Sequence, residues 1–78
     1  MKVKIYTTET CYYCKLTKEY LKRKKIEFEE IVIKDEKTAN EAFELSGQYA
    51  VPITVIGNEI IVGYNVPKLE KAIHSHTG

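Results

Sequence analysis

The amino-acid sequence predicts an α/β fold in which one four-stranded mixed sheet is flanked by three helices. Short β-rich segments alternate with helical periodicity in the order β-α-β-α-β-β-α along 78 residues. A helical crossover makes the first two strands parallel, and a two-residue turn makes the last two antiparallel. The length suits a single domain, which we expect to cover residues 1–78.

The first strand and the first helix follow one another closely. Val3 and Ile5 alternate with lysines, which predicts a strand over residues 3–6. From Cys11 the spacing of apolar residues becomes helical, and Thr10 is the expected N-cap. Lysines occupy one face of this helix and form a solvated surface. The predicted buried face consists of four residues, Tyr13, Leu16, Tyr20 and Leu21.

The middle of the chain predicts a second strand and a second helix. The strand covers residues 28–33, and its last three residues are all apolar, which is typical of a strand buried on both faces. The helix covers residues 35–46, and Gly47 is placed to end it. Its inward-facing residues are expected to be Ala39, Ala42 and Phe43.

The last third predicts a hairpin and a final helix. Two β runs, 52–56 and 59–62, are separated by Gly57-Asn58, a dipeptide typical of hairpin turns. Pro67 is expected to be the first residue of the helix, because the first helical N–H has no partner within the helix. The inward-facing residues of this helix are expected to be Leu69, Ala72 and Ile73.

Composition and charge narrow the classes of function. Twelve Lys and Arg residues nearly balance eleven Asp and Glu residues, so the charge demands neither nucleic acid nor a membrane surface as a partner. The N-terminus lacks the apolar segment of a signal peptide, and no apolar run is long enough to span a membrane. We therefore expect a cytoplasmic protein, and we expect it to be a monomer.

The only two cysteines lie three residues apart, in the run Cys11-Tyr12-Tyr13-Cys14. A disulfide between them would close a very short loop and stabilise the fold little. A cysteine pair at the start of a helix, directly after a strand, is instead typical of a redox centre. The positive end of the helix dipole favours a thiolate at the first cysteine. The pair therefore predicts thiol–disulfide exchange.

Access predicts unequal roles for the two sulfurs. Cys11 lies at the helix start, whereas Cys14 lies one turn deeper and can reach back to it. We expect Cys11 to attack a substrate disulfide and Cys14 to resolve the mixed disulfide that results. Zinc binding is the alternative interpretation, but zinc takes four ligands, and the available histidines are His74 and His76 near the C-terminus. We expect no metal.

Four short segments together resemble the glutaredoxins and the closely related NrdH-redoxins of the thioredoxin superfamily. They are Tyr6-Thr7, Cys11-Tyr12-Tyr13-Cys14, Val51-Pro52 and Gly63-Tyr64-Asn65. The order and spacing of these segments, over nearly the whole chain, are more specific than any one of them. The resemblance implies a thioredoxin-like fold and a dithiol oxidoreductase that reduces protein disulfides or glutathione mixed disulfides.

The resemblance also implies a binding site for glutathione as co-substrate, with no tightly bound cofactor. It places a cis peptide bond before Pro52, facing the cysteines, where the backbone of Val51 can pair with a thiol peptide. An ordinary trans proline at the start of an edge strand is the alternative. Tyr13 matches the tyrosine of the family's Cys-Pro-Tyr-Cys motif. The loop that receives the glutamyl end of glutathione is matched by Gly63, Tyr64 and Asn65.

Four positions depart from the usual glutaredoxin pattern. Tyr12 replaces the usual proline after the first cysteine, and Thr8 replaces the basic residue three positions before that cysteine. Ala50 replaces the threonine before Val-Pro, and Asn65 replaces the acidic residue in the last loop.

Two alternatives to a glutathione-dependent oxidoreductase therefore stay open. Gly63-Tyr64 followed by Pro67 resembles the NrdH-redoxins, which pass electrons from thioredoxin reductase to ribonucleotide reductase. The second alternative is an iron–sulfur cluster carrier that uses glutathione as a ligand. Tyr12 and Tyr13 count against it because they crowd the cluster position.

Overall fold

Four strands form one mixed sheet in the computed structural model, which describes residues 2–48 and 50–77. The elements follow the predicted order β-α-β-α-β-β-α. They are β1 (Val3–Thr7), α1 (Tyr12–Arg23), β2 (Glu29–Val32), α2 (Glu36–Ser46), β3 (Ile53–Ile56), β4 (Glu59–Val62) and α3 (Val66–Thr77). None of the helices in this described part of the chain has the length and apolarity needed to cross a membrane.

The strand order across the sheet is β2-β1-β3-β4. As predicted, β1 and β2 are parallel, and β3 and β4 form an antiparallel hairpin in which Ile56 pairs with Glu59. An antiparallel pairing of β1 with β3, which aligns Tyr6 with Ile53, joins the β1–β2 pair to the β3–β4 hairpin. The two central strands are therefore β1, which leads to the cysteines, and β3, which follows Pro52.

Apolar side chains pack on both faces of the sheet because side chains alternate along a strand. On one face, Val3 and Ile56 pack with residues of α1 and α3, among them Leu21 and Leu69. On the other face, a smaller cluster contains Tyr6, Ala42 and Ile53. The expected burial of Leu69 and Ala72 is confirmed, and Ile73 packs against the larger cluster from a half-buried position.

The structure corrects two predictions for α1. Its N-cap is Cys11 rather than Thr10, because the Cys11 side chain accepts a hydrogen bond from the backbone of Cys14. Tyr13 is not on the buried face, since it is 57% exposed. A threonine can lie on that face because the Thr17 hydroxyl donates to the Tyr13 carbonyl oxygen at 2.9 Å. The residues of α1 that are buried are Cys14, Thr17, Tyr20 and Leu21.

The second strand and the second helix also differ from expectation. The apolar residues at 31–33 are half-buried rather than covered on both faces, because β2 is an edge strand. In α2 the buried residue is Ala42, whereas Phe43 is 37% exposed rather than inward-facing. Asp35 caps this helix, and Gly47 ends it in the left-handed region at φ 74° as predicted.

The final helix begins one residue earlier than predicted. Its first residue is Val66 rather than Pro67, and Asn65 precedes it. The Asn65 side chain accepts a hydrogen bond from the backbone N–H of Lys68 at 3.2 Å, which is the geometry of an N-cap. Proline is tolerated in the second position because the N–H groups of the first turn lack helical partners.

Strand β4 offers a matched pair of substitutions that test the assignment of the core. Ile61 is 3% exposed, and its neighbour Ile60 is 39% exposed. Ile61→Ala should lower the free energy of unfolding by about 2–5 kcal/mol because it leaves a cavity. Ile60→Ala should lower it by less than about 1 kcal/mol. Urea denaturation of both variants measures the difference, and equal losses would contradict the assigned faces of the sheet.

Candidate active site

Three chain segments that are distant in sequence meet at one end of the sheet. Tyr6 pairs with Ile53, which in turn pairs with Val62. The chain leaving β1, the chain entering β3 and the chain leaving β4 therefore lie side by side. These segments carry the cysteines, Val51-Pro52 and Gly63-Tyr64-Asn65, respectively. The structure thus brings together the segments that the sequence predicted to share a site.

Cys11 is held at the N-terminus of α1 by its own side chain. Its Sγ accepts the backbone N–H of Cys14 at 3.1 Å, and its own N–H donates to the carbonyl oxygen of Thr8 at 3.4 Å. The sulfur is half-buried and lies where the helix dipole places partial positive charge. A negative charge on this sulfur is therefore stabilised by the helix and by a direct N–H donor.

Cys14 lies one turn into α1 and is only 1% exposed. Burial, followed by the hydrogen bond and the charge of Cys11, raises the pKa of the Cys14 thiol to about 12. The backbone N–H of Thr8 and the charge of Lys18 act on this pKa in the opposite direction. Both cysteines are free thiols, and the predicted difference in their access is confirmed.

The segments around Pro52 and Gly63 are joined by a backbone hydrogen bond. The Gly63 N–H donates to the carbonyl oxygen of Pro52 at 2.7 Å. Gly63 has φ 82°, in the left-handed region, so a side chain at this position would be strained. The peptide bond between Val51 and Pro52 is cis, as the resemblance implies. Pro52 is buried, and Val51 is half-buried at the surface of the site.

Three tyrosines form an aromatic surface beside the cysteines. Tyr13 stacks on Tyr64, with 6.5 Å between the ring centroids, and meets Tyr12 edge to face at 5.6 Å. The exposed fractions are 66% for Tyr12, 57% for Tyr13 and 39% for Tyr64. The Tyr13–Tyr64 stack connects the start of α1 to the loop before α3, although the two tyrosines are 51 positions apart in sequence.

Asn65 does not present a free side chain to this surface. Its Oδ1 accepts the Lys68 N–H, and its carbonyl oxygen accepts the Leu69 N–H. A ligand carboxylate at the start of α3 would therefore compete with Asn65 for the N–H groups of the first turn.

A profile of the glutaredoxin family matches residues 3–61, which include both cysteines and Val51-Pro52. The chain belongs to the glutaredoxin family. As a family member with two cysteines in place, it is a thiol–disulfide oxidoreductase or electron carrier. The predicted resemblance is thereby confirmed.

Individual relatives agree with this assignment. A glutaredoxin-like 8.6 kDa protein from the rubredoxin operon of Clostridium pasteurianum is 46% identical over 72 residues, covering 91% of this chain and 96% of that protein. A glutaredoxin from Archaeoglobus fulgidus has a TM-score of 0.84 at 36% identity, covering 92% and 85% of the two chains. NrdH-redoxin from Escherichia coli, a glutaredoxin-like protein with a thioredoxin-like activity profile, has a TM-score of 0.79 at 25% identity, covering 91% and 93%. The predicted thioredoxin-like fold is confirmed.

An ion pair beside the glutaredoxin cysteines was not predicted from the sequence. Lys18 Nζ lies 2.8 Å from Glu30 Oε2, which also accepts the Thr7 hydroxyl at 2.8 Å. The sequence pattern places Lys18 among solvated lysines, and only its position one turn after Cys14 signals another role. The partner on β2 is set by tertiary packing, which the local pattern does not encode.

A cavity of about 220 Å³ opens next to Val51 and was also missed. Thr8, from the segment before the cysteines, lines it together with Val51. The remaining lining residues are Ile33, Ala39, Ala42, Gln48 and Ala50. An apolar cavity that borders both the loop before Cys11 and the segment before Pro52 can accept part of a bound disulfide substrate.

The two histidines considered as metal ligands belong to α3. His74 is exposed on α3, where its Nε2 is 3.9 Å from Glu70. The side chain of His76 lies outside the described residues. Within residues 2–48 and 50–77 as described, no group of three His, Cys, Asp or Glu side chains is placed to hold a metal ion.

The Lys18–Glu30 ion pair should make stability depend on acidic pH. Hydrogen bonds from Lys18 and then Thr7 lower the pKa of Glu30 from its ordinary value of 4.5. The stabilisation is therefore complete above that value and is lost as the pH falls through the lowered pKa. Glu30→Gln should destabilise the fold at neutral pH, and the difference from wild type should narrow below about pH 4.

Urea denaturation at several pH values measures this difference. Glu29→Gln is the matched control, because it removes the same charge from β2 and leaves the Lys18–Glu30 pair in place. A Glu30→Gln effect that stays constant down to about pH 3 would contradict a stabilising role for the ionised carboxylate.

Proposed function

We propose that this glutaredoxin reduces glutathione mixed disulfides and protein disulfides in the cytoplasm, with glutathione as its electron donor. Residues 1–78 act as one domain and as a monomer. The observation that carries the proposal is the hydrogen bond from the Cys14 N–H to Cys11 Sγ at 3.1 Å, which holds the more accessible sulfur at a helix N-terminus. Cys11 and Cys14 are the catalytic residues.

The first step takes place at Cys11. Its thiolate attacks one sulfur of the substrate disulfide, so that a Cys11–substrate disulfide forms and the other substrate sulfur leaves as a thiolate and takes up a proton. Cys11 suits this step because it is partly exposed to solvent, whereas Cys14 is buried. The helix N-terminus stabilises the attacking thiolate before the reaction begins.

The second step takes place at Cys14. Its thiolate attacks Cys11 Sγ, a Cys11–Cys14 disulfide forms, and the remaining substrate sulfur leaves as a thiol after protonation. Two glutathione molecules then return both cysteines to thiols and become glutathione disulfide. When the first adduct is glutathione itself, a second glutathione can attack it directly, and this route does not need Cys14.

The exposed aromatic surface supports a glutathione site. Tyr13 and Tyr64 present stacked rings next to the cysteines, and the half-buried Val51 precedes the cis peptide bond to Pro52. We assign the glutathione contacts to these residues and to their neighbours Pro52, Gly63 and Asn65. Because the Asn65 side chain caps α3, its contact with glutathione is best made by the backbone N–H.

A second candidate function is favoured by the similarity to NrdH-redoxin. In that case thioredoxin reductase donates the electrons and ribonucleotide reductase is the acceptor. Thr8 and Asn65 are consistent with it, because neither supplies the charge that would bind a glutathione carboxylate or ammonium. Cluster binding through Cys11 and glutathione has less support, since the two residues that follow Cys11 are the bulky Tyr12 and Tyr13.

Reduction of hydroxyethyl disulfide with each donor system separates the two candidates. Glutathione with glutathione reductase should support turnover, whereas NADPH with thioredoxin reductase should not. Cys11→Ser should lower the rate at least about 100-fold because the attacking sulfur is lost. Cys14→Ser should keep the glutathione-dependent rate within about tenfold of wild type, because glutathione resolves its own adduct.

The two serine variants are matched controls, since each replaces one sulfur by oxygen in the same helical turn. Turnover with thioredoxin reductase alone would overturn glutathione dependence and establish the NrdH-type function. Equal rates for wild type and Cys11→Ser would overturn the assignment of Cys11. An anaerobically purified protein that carries a visible iron–sulfur chromophore would favour cluster binding.

A further inference from the structure

Lys18 is held beside the buried face of α1 rather than extending freely into solvent. Its Nζ lies 2.8 Å from Glu30 Oε2 on β2. The same oxygen accepts the hydroxyl of Thr7, which is 1% exposed and ends β1 directly before the cysteine loop. The ammonium is thereby anchored to the edge of the sheet. Along α1 it follows Cys14 by four residues, so the two side chains share one face of the helix.

The groups that act on the Cys14 thiol change during the reaction. In the dithiol protein, Cys11 raises the pKa of Cys14 through a hydrogen bond and through its charge. Both effects disappear once Cys11 Sγ is bonded to a substrate sulfur, because that sulfur then carries no charge. Burial remains as the opposing influence. The groups that favour the Cys14 thiolate at this stage are the Thr8 N–H and Lys18.

The other charged and titratable groups facing this cluster come from the elements packed around it. Lys22 on α1 lowers the pKa of the Glu30 carboxyl through its charge. Glu30 on β2 carries a carboxylate that is paired with Lys18. From β1, Thr7 contributes a hydroxyl that does not titrate, and the following loop contributes the Thr8 backbone. Among these groups, Lys18 is the cation whose charge lowers the pKa of the Cys14 thiol. Its ion pair with Glu30 fixes the position of the Lys18 ammonium.

We propose that Lys18, held in place by Glu30 and Thr7, supplies the positive charge that favours the Cys14 thiolate in the step that resolves the mixed disulfide. In that step the Cys14 thiol gives its proton to solvent, and its sulfur forms a bond to Cys11 Sγ. The bond between Cys11 Sγ and the substrate sulfur breaks, and the substrate thiolate leaves with the electron pair. Glu30 is a positioning residue that acts through Lys18. The inference rests on the proposed roles of the two cysteines.

The two chemical steps can be followed separately with the chromogenic disulfide dithiobis-nitrobenzoate. Attack by Cys11 releases the first coloured thiolate at a rate that depends on reagent concentration. Resolution by Cys14 releases the second from within the protein, at a rate that does not. Stopped-flow absorbance over a range of pH therefore gives a pH profile for each step.

Lys18→Met should shift the pH midpoint of the second release upward by about half a unit to one unit, because one nearby positive charge is lost. At neutral pH the second release should slow about two- to fourfold, since the greater nucleophilicity of a more basic thiolate recovers about half of the lost rate. The first release should not change. Lys18→Arg should restore the wild-type profile, and Lys22→Met, one turn further along α1, is the matched control.

The role of Glu30 is tested by repeating Lys18→Met in a Glu30→Gln background. If Glu30 positions the ammonium, the shift caused by Lys18→Met should be smaller in that background. An equal shift in both backgrounds would overturn the positioning role of Glu30. An unchanged second release in both Lys18→Met and Lys18→Gln would overturn the inference. Loss of the first release in the wild-type protein would instead contradict the proposed role of Cys11, so the two failures are distinguishable.

Discussion

The hydrogen bond from the Cys14 backbone to Cys11 Sγ is the contact on which the site depends. A helix start leaves N–H groups without helical partners, and a serine, threonine or aspartate normally accepts one of them. Here the acceptor is the sulfur of Cys11 itself, at 3.1 Å. The residue that caps the start of the helix is thus also the more accessible of the two cysteines, and its sulfur is placed where negative charge is stabilised. The same geometry places Cys14 one turn deeper, inside the protein.

The sheet supplies the remaining parts of the site through its register. Because β3 lies between β1 and β4, the segments at Pro52 and Gly63 lie next to the loop that carries Cys11. A backbone bond of 2.7 Å joins Gly63 to Pro52, and a ring stack joins Tyr64 to Tyr13. Each segment is therefore attached to another one, and the surface around the cysteines is preformed rather than assembled from loose loops.

The sequence was sufficient to predict the element order, the hairpin and the two cysteines at a helix start, because these features depend on local patterns. For example, the helical spacing of Leu69 and Ala72 directly predicts the last helix. Likewise, the dipeptide Gly57-Asn58 directly predicts the hairpin turn. The cis bond before Pro52 and the site loop at residues 63–65 were predicted only through resemblance to a family. Nothing in the local sequence around them specifies where they lie relative to the cysteines.

The errors arise where tertiary packing decides. The apolar run at 31–33 is compatible with a central strand, but strand order places it at the edge of the sheet, where it is half-buried. Tyr13 has the right spacing for the buried stripe of α1, but it lies in the first turn of the helix and is 57% exposed. Thr17, one turn later, is buried, and its hydroxyl donates to the Tyr13 carbonyl oxygen. Lys18 belongs to a lysine-rich face, and its pairing with Glu30 requires the packing of α1 on the sheet.

The central claim is that Cys11 reacts with disulfides much faster than Cys14 does. The most direct test is to measure which sulfur forms the covalent adduct with glutathione, and how fast. Each single serine variant is mixed with glutathione disulfide, quenched in acid at increasing times, and analysed by mass spectrometry after digestion. We predict rapid addition of one glutathionyl group to Cys11 in Cys14→Ser, and addition to Cys14 in Cys11→Ser that is slower by on the order of 100-fold, because that sulfur is buried and rarely ionised. Comparable rates of addition to the two sulfurs would contradict the account.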